Sequence, residues 1–256
     1  MSTVAIVQAR MSSTRFPGKV LAPLGDRPMI LEQLDRVGRS SRVDRIVVAT
    51  SDDPSDDSLT QVLHEAGYAV YRGPLDDVMA RFAGAADQYQ ADAIVRITAD
   101  CPLISPSVID QVIEQFESTG VDYASNTLDP TYPDGLDVEV VRAGVLTDLA
   151  LLDLDKDERE HVTLGIYRRP ERFTLHSVVD PTGDRSHLRW TVDTPADLDF
   201  VTWVYGNLAG HRPDFDYSDI LELLTEHPER TRTTDHGVRN AALIGKDTGA
   251  MKGPAS

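Results

Sequence analysis

The stretch TVAIVQARMSSTRFPGK, Thr3 to Lys19, decides the fold. Val4–Val7 is an unbroken apolar run, short for a helix and without the alternation of a half-exposed strand, so it predicts a strand buried on both faces. The chain then turns polar and cationic at once: Gln8, Arg10, Ser12, Ser13, Thr14, Arg15 and Lys19 follow, with Gly18 just ahead of the lysine. Strands covered on both faces belong to parallel sheets flanked by helices, and such sheets bind ligands beyond the carboxyl ends of their strands. One segment therefore predicts both an α/β architecture and the position of its site.

Farther along, Ile46–Ala49 and Ala93–Ile97 repeat the short apolar run. Between these runs, Leu59, Val62, Leu63 and Ala66 recur at the spacing of one helical face, as do Val108, Ile109, Val112, Ile113 and Phe116. Ile30, Leu34 and Val37 after Pro28 form a weaker stripe, and Met79, Phe82, Ala83 and Ala86 another. Strand and helix thus alternate to about residue 117, the pattern of βαβ units on a mostly parallel sheet. Regularity breaks after Tyr123, where Asn126–Gly135 holds two prolines and a glycine. A β-rich insertion after the fifth strand is expected there, spanning about 126–142. Leu198, Val201, Tyr205 and Leu208 restore a helix after Pro195, whose missing N–H suits a first turn. Residues 1–235 are expected to form the working domain and 236–256, poor in periodicity, a mobile tail.

With 256 residues the chain can bury a full core unaided. Its 25 basic against 42 acidic residues, a net charge of −17, argue against a nucleic-acid or anionic-membrane surface, which would need phosphates to be met by Lys and Arg. No apolar run approaches the roughly 18 residues of a membrane span, and the N-terminus lacks the pattern of a signal peptide, so a cytoplasmic location is expected. The single cysteine, Cys101, excludes an intrachain disulfide and reads as a small buried residue. Lys19 is the only lysine before Lys156, which makes its place in a glycine-containing loop distinctive.

Three segments could carry chemistry. In the first, Arg10, Arg15 and Lys19 could converge on a polyphosphate while Ser12, Ser13 and backbone amides add hydrogen bonds. It is not a P-loop, because Ser13 stands at the first glycine position and Val20 follows the lysine; a basic turn capping a helix is the plainer reading. The second, Arg96-Ile97-Thr98-Ala99-Asp100, ends an apolar strand in a carboxylate, a hard oxygen ligand suited to Mg²⁺ or else a cap for the turn before Pro102. The third is Val192-Asp193-Thr194-Pro195, where Asp193 is either a second metal ligand or a helix N-cap. Asp76, Asp77 and the acidic run Asp52–Asp57 read as solvated loops and helix starts.

Six motifs in order resemble the cytidylyltransferase family that includes the CMP-sialic acid and CMP-Kdo synthetases, most closely its spore-coat polysaccharide biosynthesis branch. They are QARMSSTRFPGKVL (Gln8–Leu21), YRGPLDDVMARF (Tyr71–Phe82), RITADCPLI (Arg96–Ile104), YPDGLDVEV (Tyr132–Val140), EREHV (Glu158–Val162) and TVDTPADL (Thr191–Leu198). The resemblance implies a GT-A-like, Rossmann-like fold, with CMP moved from CTP to an acidic sugar-like acceptor, pyrophosphate release, Mg²⁺ as cofactor and a homodimer. Gln8, Ala9, Arg10, Ser12, Ser13, Arg15, Lys19 and Thr98 would then bind the nucleotide, Thr98 standing where related synthetases commonly carry Gln. Asp100 and Asp193 would hold the metal, and Lys19, Arg15 and Asp100 would serve catalysis. Tyr132, Asp134, Asp137 and Glu139 would lie near the sugar pocket and dimer contact, with His161 at the sugar site or, on the plainer reading, a solvated helix residue. A rival is a GT-A glycosyltransferase consuming a nucleotide sugar, although such enzymes usually hold metal with an Asp-x-Asp pair and here the strand ends Thr98-Ala99-Asp100.

Overall fold

The computed structural model describes residues 1–234. Along the chain, β1 (Thr3–Gln8) passes through a short antiparallel pair, β2 (Pro23–Leu24) and β3 (Arg27–Pro28), into α1 (Met29–Val37). Three strand–helix units follow: β4 (Arg45–Ser51) with α2 (Asp57–Glu65), β5 (Ala69–Gly73) with α3 (Val78–Gln88), and β6 (Ala93–Thr98) with α4 (Pro106–Thr119). Next come β7 (Tyr123–Ser125), β8 (Glu139–Arg142), α5 (Ala143–Ala150), α6 (Lys156–Glu160), α7 (Leu164–Tyr167) and β9 (Leu175–Ser177). Two helices, α8 (Pro195–Leu208) and α9 (Tyr217–Glu226), follow, and a 3-10 turn at Pro228–Arg230 comes after them.

Seven strands form one sheet in the order β5-β4-β1-β6-β8-β7-β9. The first four are mutually parallel, whereas β8 lies antiparallel between β6 and β7. The β-rich part expected after the fifth strand is thus a flank of this same sheet. The pleat sends successive residues to opposite faces, and both faces are covered. Ala5, Val7, Val48, Val95 and Ile97 pack with Ile30, Leu34, Ile109, Val112 and Val201, while Val4, Ile6, Val47 and Ile94 pack with Phe82, Ala85, Leu146 and Leu149. This two-sided burial is why the strands read as short apolar runs, interrupted in β6 only by Arg96. β5 escapes that reading because it is an edge strand, half-buried from Ala69 to Arg72.

Helix ends follow the local chemistry. Ser105 accepts from Val108 N ahead of Pro106, and α4 stops at Gly120, whose φ of 66° is left-handed. Among the described residues no helix is long and apolar enough to cross a membrane. The expected tail, 236–256, lies outside the described residues.

Within the 126–142 stretch, Tyr132 to Gly135 pack against other parts of the same chain. Tyr132 is fully buried, with its hydroxyl donating to Gln111 Oε1 at 2.7 Å and its ring edge-on to Tyr217. Asp134 N donates to Leu188 O at 2.9 Å, and Trp190 N donates to Asp134 O at 2.6 Å. Gly135, at φ 109°, lets this loop approach the 188–193 segment so closely that a Cβ would stand 2.9 Å from the Trp190 carbonyl carbon. Gly135→Ala adds left-handed strain to a backbone clash, and is expected to lower unfolding free energy by about 2 kcal/mol. Urea titration measures this; an unchanged midpoint would mean that the two backbones can separate freely.

Candidate active site

Parallel pairing of β1 with β6 sets Gln8 opposite Thr98, so the loops that follow both strands leave the sheet side by side. Ala9 N donates to Ala49 O at 3.1 Å and Ala99 N to Gln8 O at 3.0 Å, which carries the ladder one residue past each strand. The first loop closes on Met11, whose carbonyl accepts from Ser13 N at 3.0 Å and Gly18 N at 2.9 Å. Gly18 takes a left-handed φ of 73° and turns the chain so that Lys19 opens a 3-10 turn. The outer part of this loop, Ser12, Thr14 and Arg15, is exposed, while Arg10 and Ser13 are half-buried.

Lys19 points back under the loop to the ends of two other segments. Its ammonium donates to Val192 O at 2.7 Å and Asp193 Oδ1 at 3.0 Å, and lies 3.5 Å from Asp100 Oδ2. Arg15 adds a second cation, 2.9 Å from Asp193 Oδ1, with its side chain 57% exposed against 11% for Lys19. Burial by itself would lower the Lys19 pKa, but the charges of Asp100 and Asp193 outweigh it and hold it above the ordinary lysine value. Burial would likewise raise the Asp100 pKa, yet Lys19 and the hydrogen bonds from Thr98 and Cys101 bring it below the usual carboxylate value. The Cys101 thiol is pushed well up by burial and then by Asp100, Asp137 and Asp134, leaving it protonated and poorly nucleophilic.

The two readings of Asp193 separate here. Helix α8 is capped by Thr194, in a reciprocal box in which Thr194 Oγ1 accepts from Asp197 N while Asp197 Oδ2 accepts from Thr194 N at 2.9 Å. The N-cap role thus falls to Thr194, and the Asp193 carboxylate is turned to the cations. Arg189, only 4% exposed, donates to Asp193 Oδ2 at 2.7 Å and to Asp197 Oδ1 at 3.1 Å, and Arg232 donates to the same Asp197 oxygen at 2.7 Å. Val192 N donates to Asp100 O at 2.8 Å, tying this segment to the end of β6.

Lys19, Arg15, Thr98, Asp100 and Asp193 therefore form one cluster. Thr98, expected to face the base, spends its hydroxyl on Asp100 Oδ1 at 2.6 Å. Gln8 belongs to a second group: Arg96 bonds Glu139 Oε2 at 2.5 Å and reaches Gln8 Oε1 at 3.5 Å. Glu139 is buried and also accepts from Tyr123 and Thr163, each at 3.0 Å. His161 ends α6 beside this group, followed by Val162 at a strained φ of 42°. Tyr132 lies in the core, and Asp134 Oδ2 is 3.7 Å from Arg189 Nε.

Sequence reading missed Arg189, Arg232 and Asp56. Arg189 carries a signal only in its spacing of four and eight residues from Asp193 and Asp197, which has no helix to interpret it. Asp56 sits in a run read as solvated, yet it is fully buried beneath the first loop.

Among the described residues no group of three or more His, Cys, Asp or Glu side chains could hold a metal ion. Asp100 and Asp193 present two hard carboxylates that already share one cation, and that donor set fits an ion which takes its remaining ligands from water and phosphate.

A profile of the cytidylyltransferase family matches residues 4–230. The chain belongs to that family. The spore coat polysaccharide biosynthesis protein SpsF of Bacillus subtilis is 35% identical over 230 residues, covering 88% of this chain and 94% of SpsF. A 3-deoxy-manno-octulosonate cytidylyltransferase of Trichlorobacter lovleyi is 41% identical over 118 residues, 45% of this chain and 45% of that protein. A solved cytidylyltransferase structure from Leptospira borgpetersenii superposes with a TM-score of 0.85 at 29% identity, covering 91% of this chain and 97% of that one. This cytidylyltransferase-family chain shares its fold with the Leptospira borgpetersenii protein.

The ionic cluster predicts a stability profile. Lys19, raised above 10.5, contributes stability below that pH and loses it only as pH climbs through the higher folded value. Asp100, depressed below 3.8, contributes above that pH and loses it as pH falls through the lower folded value. Lys19→Met is therefore expected to be less stable than wild type by about 2 kcal/mol at neutral pH, since Arg15 and Arg189 still face Asp193. The gap should narrow in strong acid and strong alkali. Denaturation across pH measures it, and a gap independent of pH would show that the ion pairs are not its source.

Proposed function

We propose that this cytidylyltransferase moves CMP from CTP to an acidic sugar-like acceptor, with Mg²⁺ as cofactor, in the assembly of a surface polysaccharide or other glycan. The observation that carries the reading is the meeting of Lys19 and Arg15 with Asp100 and Asp193 at the carboxyl ends of the strands. The acceptor class is supported by the 3-deoxy-manno-octulosonate cytidylyltransferase similarity, and the glycan role by SpsF.

Arg10, Arg15 and Lys19 bind the triphosphate, helped by Ser12, Ser13 and loop amides. An acceptor hydroxyl attacks the α-phosphorus in line; the new O–P bond forms as the bond to the β-phosphate's bridging oxygen breaks, pyrophosphate leaves and the hydroxyl proton passes to water. Asp100 and Asp193 would hold Mg²⁺, which when bound neutralises phosphate charge. Lys19 now lies on both carboxylates, so the phosphates must draw it off them for it to serve the leaving pyrophosphate. Positioning and charge neutralisation supply most of the rate in such transfers. With the Thr98 hydroxyl spent on Asp100 and the Ala9 N–H on Ala49 O, the Ala9 carbonyl and Arg10 amide are the backbone groups left to read cytosine.

Steady-state pyrophosphate release is the test. Lys19→Ala and Arg15→Ala are each expected to lower kcat/KM about 100-fold, roughly 3 kcal/mol, and near-normal turnover in either would remove the loop from the reaction. CTP should exceed UTP by about tenfold in kcat/KM, and equal use would leave the base unspecified. Asp100→Asn and Asp193→Asn should weaken Mn²⁺ binding in the presence of CTP, read by electron paramagnetic resonance, while both variants stay folded. The reading includes a homodimer, which a monomer by light scattering at high micromolar concentration would reject.

A further inference from the structure

Asp56 lies within the acidic run Asp52–Asp57, whose members Asp52 and Asp57 are exposed as solvated loop residues should be. Asp56 is instead fully buried, at 0% exposure. Its Oδ2 accepts from Ser51 N at 3.1 Å and from the Ser51 hydroxyl, which fixes the carboxylate to the end of β4. Its Oδ1 accepts from Met11 N at 2.7 Å, forty-five residues away in sequence. That amide belongs to the residue on which the cationic loop closes, since the Met11 carbonyl takes both Ser13 N and Gly18 N. The Met11 backbone is thus anchored on both sides, its N–H by Asp56 and its carbonyl by the loop, and one of the amides it holds belongs to Gly18, the residue before Lys19. Burial and then the nearby Arg10 charge lower the pKa of Arg81, and Asp56 opposes that shift without reversing it.

We propose that Asp56 is a positioning residue for triphosphate binding: through Met11 it holds the loop carrying Arg15 and Lys19 in the shape that meets the phosphates. It touches no phosphate itself. The proposal rests on the assignment of this loop to the triphosphate. A buried carboxylate accepting backbone N–H groups is a strong anchor, because breaking it strands a desolvated charge and frees the loop to sample conformations that binding must then re-order.

The test compares CTP with CMP by calorimetry on the full chain. CMP offers one phosphate and depends little on the loop, whereas CTP needs all of it, so a loosened loop should lose CTP selectively. Asp56→Ala is expected to weaken CTP about tenfold and CMP less than about threefold. Asp56→Asn, of the same size, should shift affinity in the same direction and serves if the alanine variant does not fold. Ser51→Ala removes one bond to the carboxylate but leaves the Met11 bond, and should retain the wild-type ratio. Equal losses for CTP and CMP in a folded Asp56 variant, or no loss for either, would overturn the proposal while leaving the proposed function standing. A wild-type protein without preference for CTP over CMP would instead sink the loop assignment, and this proposal with it.

Discussion

The ammonium of Lys19, shared among Asp193, Asp100 and the Val192 carbonyl, is the constraint on which the site depends. Its partners are 81, 173 and 174 residues away in sequence, so no local structure can make it; β1 must lie against β6, and Val192 must lie against the loop that follows β6. Around it, Lys19, Arg15, Arg189 and Arg232 face Asp100, Asp134, Asp193 and Asp197. These four cations and four carboxylates pair with one another inside a chain of net charge −17. A polyanion can enter such a place only if cations change partners or a metal arrives with it, since otherwise carboxylates and phosphates would face one another.

Much of the architecture was legible because two-sided burial leaves a simple trace. β1 and β4 carry unbroken apolar runs, β6 carries one interrupted only by Arg96, and α1 to α4 are apolar stripes of helical spacing. Where burial is one-sided or polar the trace fades. β5 at the edge mixes Tyr71 and Arg72 with Val70, and β8 begins at Glu139, a buried acid that the pattern cannot distinguish from a surface one. Glu139 is tolerable inside only because Arg96, Tyr123 and Thr163 surround it, a fact about tertiary neighbours.

The same limit governs the site. Lys19, Arg15 and Asp100 were visible as charges at predicted strand ends, where exposure to a ligand is expected. Arg189 and Asp56 were invisible because their charges serve other protein groups rather than solvent or ligand. An isolated arginine between Leu188 and Trp190, or one aspartate among several, carries no sign of the partner that will neutralise or anchor it.

The division of labour at the start of α8 shows why the fold and the site can coexist in so short a segment. A helix beginning at Pro195 needs a side-chain acceptor for its first amides, and Asp193 stands near enough to be drawn into that duty. Thr194 and Asp197 meet the need between them, and Asp197 also accepts from Asp193 N at 3.1 Å. The helix therefore fixes the backbone of Asp193 while leaving its carboxylate unclaimed by capping. Arg189 then takes one oxygen and leaves the other to Lys19 and Arg15. Folding acts on this residue through its amide and Oδ2, while the cations of the first loop meet it through Oδ1, so the chemistry proposed for the site would draw on an atom that the cap does not use.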